Sequence, residues 1–106
     1  MIMRVYRCTA VAGKEAEFRE FGFTKGHPWL RMQPGLVAFY AAKPMPDNND
    51  RIRCLVQIWE SVAALQAAFG EEWRKPRKLP DETLSFIESA SVEHYEIADE
   101  FRSEAR

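Results

Sequence analysis

The chain has 106 residues and a formal net charge of −1, from 15 basic and 16 acidic side chains, and 46% of its residues are hydrophobic. This length and composition fit one globular domain with a single core. The interspersed charges give no reason to expect a nucleic acid or a membrane as partner, and no apolar run approaches the roughly 18 residues of a spanning helix. Cys8 and Cys54, without an export signal, favour reduced thiols in a cytoplasmic protein.

The first predicted element is a strand over residues 1–11, because its side chains alternate with a period of two. One face of this strand carries Arg4, Tyr6 and Cys8, which is the first indication of a polar pocket. Gly13 then ends the strand.

A helix is predicted next, over residues 14–25, where Phe18 and neighbouring apolar residues recur on one side. Pro28 disfavours a helical conformation for the residue before it, so His27 is expected to lie outside the helix. The same proline can open a separate turn over residues 28–32.

The second and third strands are predicted over residues 36–43 and 51–59, joined by a turn over the Pro- and Asn-rich residues 44–50. The third strand alternates strongly, and its more apolar face is expected to meet the helices. That face carries Ile52, Cys54, Val56 and Ile58. Leu55 and Trp59 fall on the other face, which is expected to stay bare in a monomer.

Directly after the third strand, residues 62–69 predict a short amphipathic helix. Ser61 can cap its start, since a serine oxygen accepts a bond from an early helical N–H, and Gly70 is a natural stop. Residues 71–80 are charged and hold two prolines, so they predict a loop.

The last part of the chain predicts a short helix over residues 81–88, with Leu84 and Ile87 buried, and a fourth strand over residues 89–97. The remaining polar residues are expected to form a tail that is partly disordered unless a partner holds it.

These elements follow the order β-α-β-β-α-β, which is the ferredoxin-like pattern of the α+β class. Right-handed crossovers place both helices on one face of a four-stranded antiparallel sheet. The other face would be a large apolar patch on a monomer, and a second copy of the same sheet is its simplest cover. We therefore predict one domain over residues 1–99, a polar tail over residues 100–106 and a homodimer.

This layout resembles the antibiotic biosynthesis monooxygenase family of dimeric α+β barrels over residues 1–97. Four short segments carry the resemblance: Gly13-Lys14, Gln33-Pro34-Gly35-Leu36, Ile58-Trp59-Glu60-Ser61 and Val92-Glu93-His94-Tyr95-Glu96-Ile97. The resemblance implies a homodimer whose sheets pack into a barrel, with a pocket in each subunit between sheet and helices. Members of the family include cofactor-independent monooxygenases acting on polycyclic phenols and haem-degrading monooxygenases.

The haem-degrading branch of the family can be tested residue by residue. It uses an asparagine on the first strand, a tryptophan on the second helix and a histidine further on. Those positions fall near Tyr6, near Ala68 or Phe69, and near Lys78. None of the three residue types is present there, so no imidazole is in place as a proximal iron ligand. We expect no cofactor and no metal, because metal-ligand spacings and phosphate-binding loops do not occur in the sequence.

Three residues are candidates for catalysis: Tyr6, His27 and Arg4. Tyr6 would donate a hydrogen bond to a phenol or quinone, and Arg4 would stabilise the substrate oxyanion. His27, beside a helix interruption, could act as a general base near neutral pH. The alternatives are a tyrosine of the core, an arginine whose head group reaches water at the sheet edge, and a surface-loop histidine.

A second group of residues is predicted to bind the substrate: Cys8, Cys54, Phe23, Trp29 and Trp73. The two cysteines could equally be small core residues. The two tryptophans could cap the pocket against a planar ligand or belong to the core. His94 is expected in the barrel or at the interface, and Trp59 in the dimer barrel.

Together with the pocket residues, the family resemblance implies a small cofactor-independent monooxygenase that oxidises an aromatic, phenolic or quinone-like metabolite. The substrate anion itself would reduce dioxygen, while the protein supplies orientation, charge stabilisation and exclusion of water. The alternative is a dimeric ligand-binding or stress-related barrel that uses the same pocket without turnover. An open pocket of more than about 300 Å³ beside Tyr6 would favour an enzyme or a binding protein over a purely structural dimer.

Overall fold

The computed structural model, which describes residues 1–45 and 51–104, contains a four-stranded antiparallel sheet with helices packed on one of its faces. The strands are β1 (Ile2–Ala10), β2 (Leu36–Ala42), β3 (Ile52–Trp59) and β4 (Ile87–Glu96), in the spatial order β2-β3-β1-β4. The helices are α1 (Glu15–Phe21), α2 (His27–Arg31) and α3 (Val62–Phe69). This is the predicted ferredoxin-like α+β fold. Part of the predicted turn over residues 44–50 lies outside the described residues.

The pairing of the strands decides which side chains face the helices. Arg4 lies opposite Gln57 on β3 and His94 on β4, and directly opposed residues share a face of the sheet. Arg4 and Gln57 are both buried. The side chains that share their face of the sheet therefore lie beneath the helices. The other set forms what we call the outer face: Met3, Val5, Arg7, Tyr40, Ile52, Cys54, Val56, Ile58, Glu93 and Tyr95.

The two faces of β3 are therefore the reverse of the prediction. Trp59, expected in the dimer barrel, is fully buried against Leu30 of α2 and Leu65 of α3, and Leu55 packs against the same cluster. The more apolar set, with Val56 at its centre, lies on the outer face. Alternation separates the two sets of side chains, but it cannot say which set meets the helices when both are apolar.

The core beneath the helices consists of two clusters of buried residues. One cluster contains Leu30, Trp59, Leu65 and Trp73, and the other contains Cys8, Ala10, Phe18 and Phe86. Each cluster joins the sheet to residues from the helices or the loops, which is how the helical layer is held to the sheet. None of the described helices is long and apolar enough to cross a membrane.

The predicted break at His27 is wrong, because the chain stays helical from α1 into α2. Gly22–Gly26 form a π-helical turn, and the His27 N–H donates to the Gly22 carbonyl with helical dihedrals of φ −66° and ψ −43°. Pro28 falls in the first turn of α2, next to the π-helical turn, where it is accommodated without ending the helix. π-Helical turns of this kind recur at functional sites.

Two of the segments that carried the family resemblance meet where β2 begins. The Glu60 N–H donates to the Gly35 carbonyl at 2.9 Å, and Leu36 lies opposite Trp59. Gly35 has φ +87°, and a Cβ added there would lie 2.5 Å from the Cβ of Ala64 on α3. Glycine is therefore required at this position both for its backbone conformation and for its close approach to the helix.

The caps of α3 are confirmed, and the element before β4 differs from the prediction. The Ser61 hydroxyl accepts a bond from the Ala64 N–H at 3.1 Å, and the helix stops at Gly70. The predicted helix over residues 81–88 is instead a short 3₁₀ turn, Asp81–Ser85. Leu84 was expected to be buried but is 75% exposed. Ile87, expected in that helix, opens β4, and the buried residues of this region are Thr83 and Phe86.

Candidate functional site

A cavity of about 350 Å³ lies beside Tyr6, between the sheet and the helical layer. Its walls are mainly apolar and include Phe18, Phe21, Leu30, Leu55 and Phe69. The polar side chains that line it are Arg4, Tyr6, Cys8, Arg19, His27, Lys43, Arg53, Gln57 and Arg77. A mostly apolar cleft with a few converging polar groups is the usual form of a small-molecule site.

Tyr6 lines this cavity from the middle of β1, and its phenol is neutral. Burial, reinforced by the neighbouring Cys8 thiol, raises the pKa of the Tyr6 phenol well above its ordinary value. Burial also raises the pKa of Cys8 to about 11. Cys8 is therefore a protonated thiol of the core, packed near Ala10 and Phe18, and not a nucleophilic thiolate.

His27 lines the cavity where the π-helical turn joins α2. Its ring lies between Phe23, with centroids 5.2 Å apart, and Phe39, with centroids 5.4 Å apart. Burial and the nearby Arg31 charge lower its pKa below the ordinary histidine value, so the imidazole is neutral at pH 7 and able to accept a proton. A Cβ at Gly22 would lie 3.4 Å from the His27 Nε2, which places the ring against the backbone of the π-helical turn.

Arg4 is 1% exposed, and its guanidinium bonds to protein groups, so the alternative of a head group that reaches water at the sheet edge is wrong. Its Nη1 donates to the Trp73 carbonyl and lies 2.9 Å from the Nε2 of His94, while its Nη2 donates to the Lys75 carbonyl at 3.2 Å. The guanidinium carbon also lies 3.9 Å from the centroid of the Phe69 ring. These contacts do not support Arg4 as a direct oxyanion donor; they make it a positioning residue that fixes the loop after α3.

His94 was expected in the barrel or at the interface, but it lies on the helix-facing side of β4. Besides its contact with Arg4, its ring meets the Trp73 ring edge to face, with centroids 5.0 Å apart. Burial and the charges of Arg4 and Arg74 lower the pKa of His94. The contact between His94 and Arg4 could have been predicted from the sequence only by pairing β1 with β4 in the right register. That register puts His94 opposite Arg4.

Of the two tryptophans predicted to bind substrate, Trp29 lines the cavity and Trp73 does not. Trp29 packs against Phe69, with ring centroids 5.6 Å apart. The guanidinium carbon of Arg77 lies 3.9 Å from the centroid of the Trp29 ring. Trp73 instead belongs to the core, because it is only 8% exposed and serves Arg4 through its carbonyl.

The remaining two predicted ligand contacts lie at the border of the cavity. Phe23 stands at the rim with 64% of its side chain exposed. Cys54 borders the cavity, but it lies opposite Arg7 and Ala42, which places its side chain on the outer face rather than among the helices as predicted. Three of the polar residues that line the cavity were not predicted from the sequence: Arg53, Gln57 and Arg77. The pairing of the strands brings the first two to the cavity, and the path of the loop brings Arg77.

A haem held by a proximal histidine needs an imidazole nitrogen that is free to bind the iron. The chain has two histidines. The Nε2 of His94 bonds to the Arg4 guanidinium, and His27 lies at the start of α2 rather than near Lys78, where the resemblance places the proximal histidine. Phe69 and the neighbouring apolar residues add no metal ligand, so this donor set does not fit a haem held by a proximal histidine. Across the described residues, no cluster of three or more His, Cys, Asp or Glu side chains could hold a metal ion.

Solved structures of other proteins share this fold over nearly the whole chain. A Deinococcus radiodurans protein assigned as an antibiotic biosynthesis monooxygenase has a TM-score of 0.72 at 11% identity, covering 97% of this chain and 98% of that one. SnoaB from Streptomyces nogalater, a cofactor-independent oxygenase, has a TM-score of 0.70 at 18% identity, covering 96% and 97%. A variant of MhuD with two manganese protoporphyrin IX molecules per active site has a TM-score of 0.68 at 19% identity, covering 97% and 100%.

The fold of this protein is thus that of the antibiotic biosynthesis monooxygenases. No protein-family model and no curated protein matches the sequence. Because the identities to these three structures lie between 11% and 19%, the likeness establishes the fold and not the reaction. The same fold holds a cofactor-independent oxygenase and a porphyrin-binding protein, so the fold alone assigns no reaction.

Proposed function

We propose that this protein is an antibiotic biosynthesis monooxygenase that works without a cofactor and oxidises a small phenolic or quinone-like aromatic compound. The observation that carries the proposal is the aromatic-walled cavity lined by a neutral Tyr6 phenol and a neutral His27 imidazole. Aromatic walls suit a planar ring, and the two polar groups supply a donor and a proton acceptor.

The first step is removal of the phenolic proton. His27 accepts it, because its lowered pKa keeps the imidazole neutral at pH 7. The phenolate that forms is stabilised by the Tyr6 hydroxyl, which stays protonated, and by the cationic side chains that line the cavity. The apolar walls exclude water, and this strengthens those electrostatic interactions.

The oxidation balances with the phenol and dioxygen alone. The phenolate gives one electron to dioxygen, and the resulting radical and superoxide combine to form a carbon–oxygen bond on the ring. The peroxide then takes up the proton held by His27. Loss of the proton from that ring carbon and cleavage of the O–O bond release water and leave a quinone. One oxygen atom of dioxygen enters the product and the other leaves as water.

The proposal includes a homodimer formed through the outer face. Val5, Ile52, Val56 and Ile58 give this face an apolar centre, and Tyr40 at its side is 65% exposed. Ile52, Val56 and Ile58 are half-buried within the described chain, and an apolar sheet face that no helix covers usually marks an interaction surface. A second copy related by a two-fold axis would present the same face and bury both.

Oxygen uptake by chelator-treated protein, measured with a panel of phenols and hydroquinones, tests the proposal. We expect uptake of dioxygen matched by formation of quinone, and we expect Tyr6→Phe and His27→Ala to slow it. Saturable binding of these compounds without any oxygen uptake would support the second candidate, a ligand-binding barrel that uses the same cavity without turnover. Unchanged rates in both variants would remove these two residues from the site.

A further inference from the structure

The charges around the cavity are all of one sign. Five cationic side chains line it: Arg4, Arg19, Lys43, Arg53 and Arg77. No aspartate or glutamate of the described residues belongs to the lining. A cleft lined by one sign of charge, with apolar walls that keep the effective dielectric low, favours a ligand of the opposite sign.

Several of these cations are engaged by the protein, and Arg77 differs from them. The Nη groups of Arg4 donate to backbone carbonyls, and the Nη1 of Arg53 donates to the Ile52 carbonyl at 3.0 Å. Arg77 lies in the loop between α3 and the 3₁₀ turn before β4. The Arg77 guanidinium contacts the Trp29 ring and interacts electrostatically with Tyr6. Among the described residues, no carboxylate lies within ion-pair distance of Arg77.

Stacking on Trp29 gives Arg77 a fixed orientation. The guanidinium carbon lies 3.9 Å from the centroid of the indole ring, so the planar group covers one face of it. An arginine held in this way keeps its N–H groups at the edge of the guanidinium, where they can bind a carboxylate through two parallel hydrogen bonds. The group is also half-buried, so its charge is poorly hydrated and would gain from an anionic partner.

We propose that the cavity is selective for planar aromatic anions, and that Arg77, stacked on Trp29, pairs with a carboxylate group on the ring system. This assignment rests on the proposed function, since it places the carboxylate on the same molecule that the cavity oxidises. A cavity of about 350 Å³ has room for roughly two fused rings. The aromatic body lies against Phe18, Phe21 and Phe69, and the carboxylate lies at the Arg77 end of the cavity.

Two probes of the same shape and different charge test the assignment: 6-hydroxy-2-naphthoate and its neutral amide. Their dissociation constants are measured by quenching of tryptophan fluorescence and by calorimetry. We expect the carboxylate to bind about tenfold more tightly than the amide, or better. Arg77→Gln should abolish this preference while leaving the affinity for the amide within about twofold, and Arg77→Lys should retain part of it.

The matched control is Arg74→Gln. Arg74 carries the same charge on the same loop, but it stacks on Trp73 and does not line the cavity. This variant should keep the full preference for the carboxylate, with far-UV circular dichroism confirming that every variant is folded. Three results would each overturn the assignment. They are equal affinities of the unmodified protein for the two probes, a preference for the carboxylate that remains in Arg77→Gln, and the absence of saturable binding of either probe.

Oxygen uptake with the same two probes separates this assignment from the proposed function. A preference for the carboxylate that depends on Arg77, found without oxygen uptake, would support the binding assignment and contradict the monooxygenase. Oxygen uptake with both probes and no difference in their affinities would support the monooxygenase and contradict the role of Arg77.

Discussion

The Nη1 of Arg4 lies 2.9 Å from the Nε2 of His94, and this contact fixes the protonation state of the histidine. Because a guanidinium can only donate, the Nε2 of His94 must accept and the ring must be neutral. The same guanidinium holds the Trp73 and Lys75 carbonyls of the loop after α3. A central strand, an edge strand and the loop that carries Arg77 are therefore connected through one buried cation.

Acid should weaken the fold through His94. Burial, Arg4 and Arg74 hold its pKa below the ordinary value of about 6.5, so below that pH the unfolded chain binds a proton that the folded chain resists. The free energy of unfolding should therefore fall as the pH is lowered from 7 to 5. His94→Gln can still accept from Arg4 but does not titrate, so its stability should change less over this range.

Urea denaturation across that pH range measures the effect of His94. His27 also has a lowered pKa, so a variant with both histidines changed to glutamine should be flatter still. Glu93, whose pKa is lowered from 4.5, contributes only at more acidic pH. Parallel stability curves for the unmodified protein and His94→Gln would contradict the assigned contact with Arg4.

The rate of oxidation should depend on pH through His27. The imidazole acts as a base only when neutral, and its pKa is lowered, so the rate should rise with pH, reach half its maximum below about pH 6.5 and then stay level. Tyr6 adds no decline near neutral pH, because its pKa is raised. His27→Gln should lose the rising limb along with most of the rate. The same pH profile in this variant would show that another group takes the proton.

Gly35 and Gly13 form a matched pair for a packing prediction. Both have a positive φ, +87° and +86°, but a Cβ at Gly35 would lie 2.5 Å from the Ala64 Cβ, whereas nothing lies within 4 Å of one at Gly13. Both alanine variants meet the same backbone strain, and only Gly35→Ala must also move α3. We expect Gly35→Ala to lower the free energy of unfolding by about 1–3 kcal/mol more than Gly13→Ala in urea denaturation. Equal losses would mean that α3 does not pack against this turn.

The proposed dimer can be tested at the centre of the outer face. Val56→Lys places a charge between Val5 and Tyr40, its neighbours across the sheet, and should convert the dimer to a monomer or an unfolded chain because the charge would be buried at the interface. Ala67→Lys on the exposed side of α3 is the control and should remain dimeric. Light scattering coupled to size-exclusion chromatography measures both masses, and a monomeric, folded parent protein would contradict the dimer.

Local patterns were sufficient to predict the strands, the order of the elements and the caps of α3. Ser61 and Gly70 act within one turn of the chain, and the alternation over β3 depends only on neighbouring residues. The side of β3 that meets the helices was not predictable in this way. Both of its faces are apolar, and what distinguishes them is that Trp59 fits between α2 and α3, a long-range contact.

The site was predictable only as far as β1 determines it. Tyr6 and Cys8 share a face with Arg4 by alternation alone, and His27 was suspected from its position beside Pro28. Arg77 reaches the cavity because its loop crosses back over β1, and His94 reaches Arg4 through the pairing of β1 with β4. Neither relationship leaves a local pattern in the sequence.

Turnover with isotopically labelled dioxygen tests the central claim most directly. The chelator-treated protein is given a phenol that supports oxygen uptake, and the quinone and the water are analysed by mass spectrometry. A cofactor-independent monooxygenase predicts one labelled oxygen atom in the quinone and one in water for each dioxygen consumed. The proposed reaction would be contradicted if dioxygen were not consumed. It would also be contradicted if the new oxygen atom of the quinone came from the solvent, measured before the quinone oxygens exchange with water.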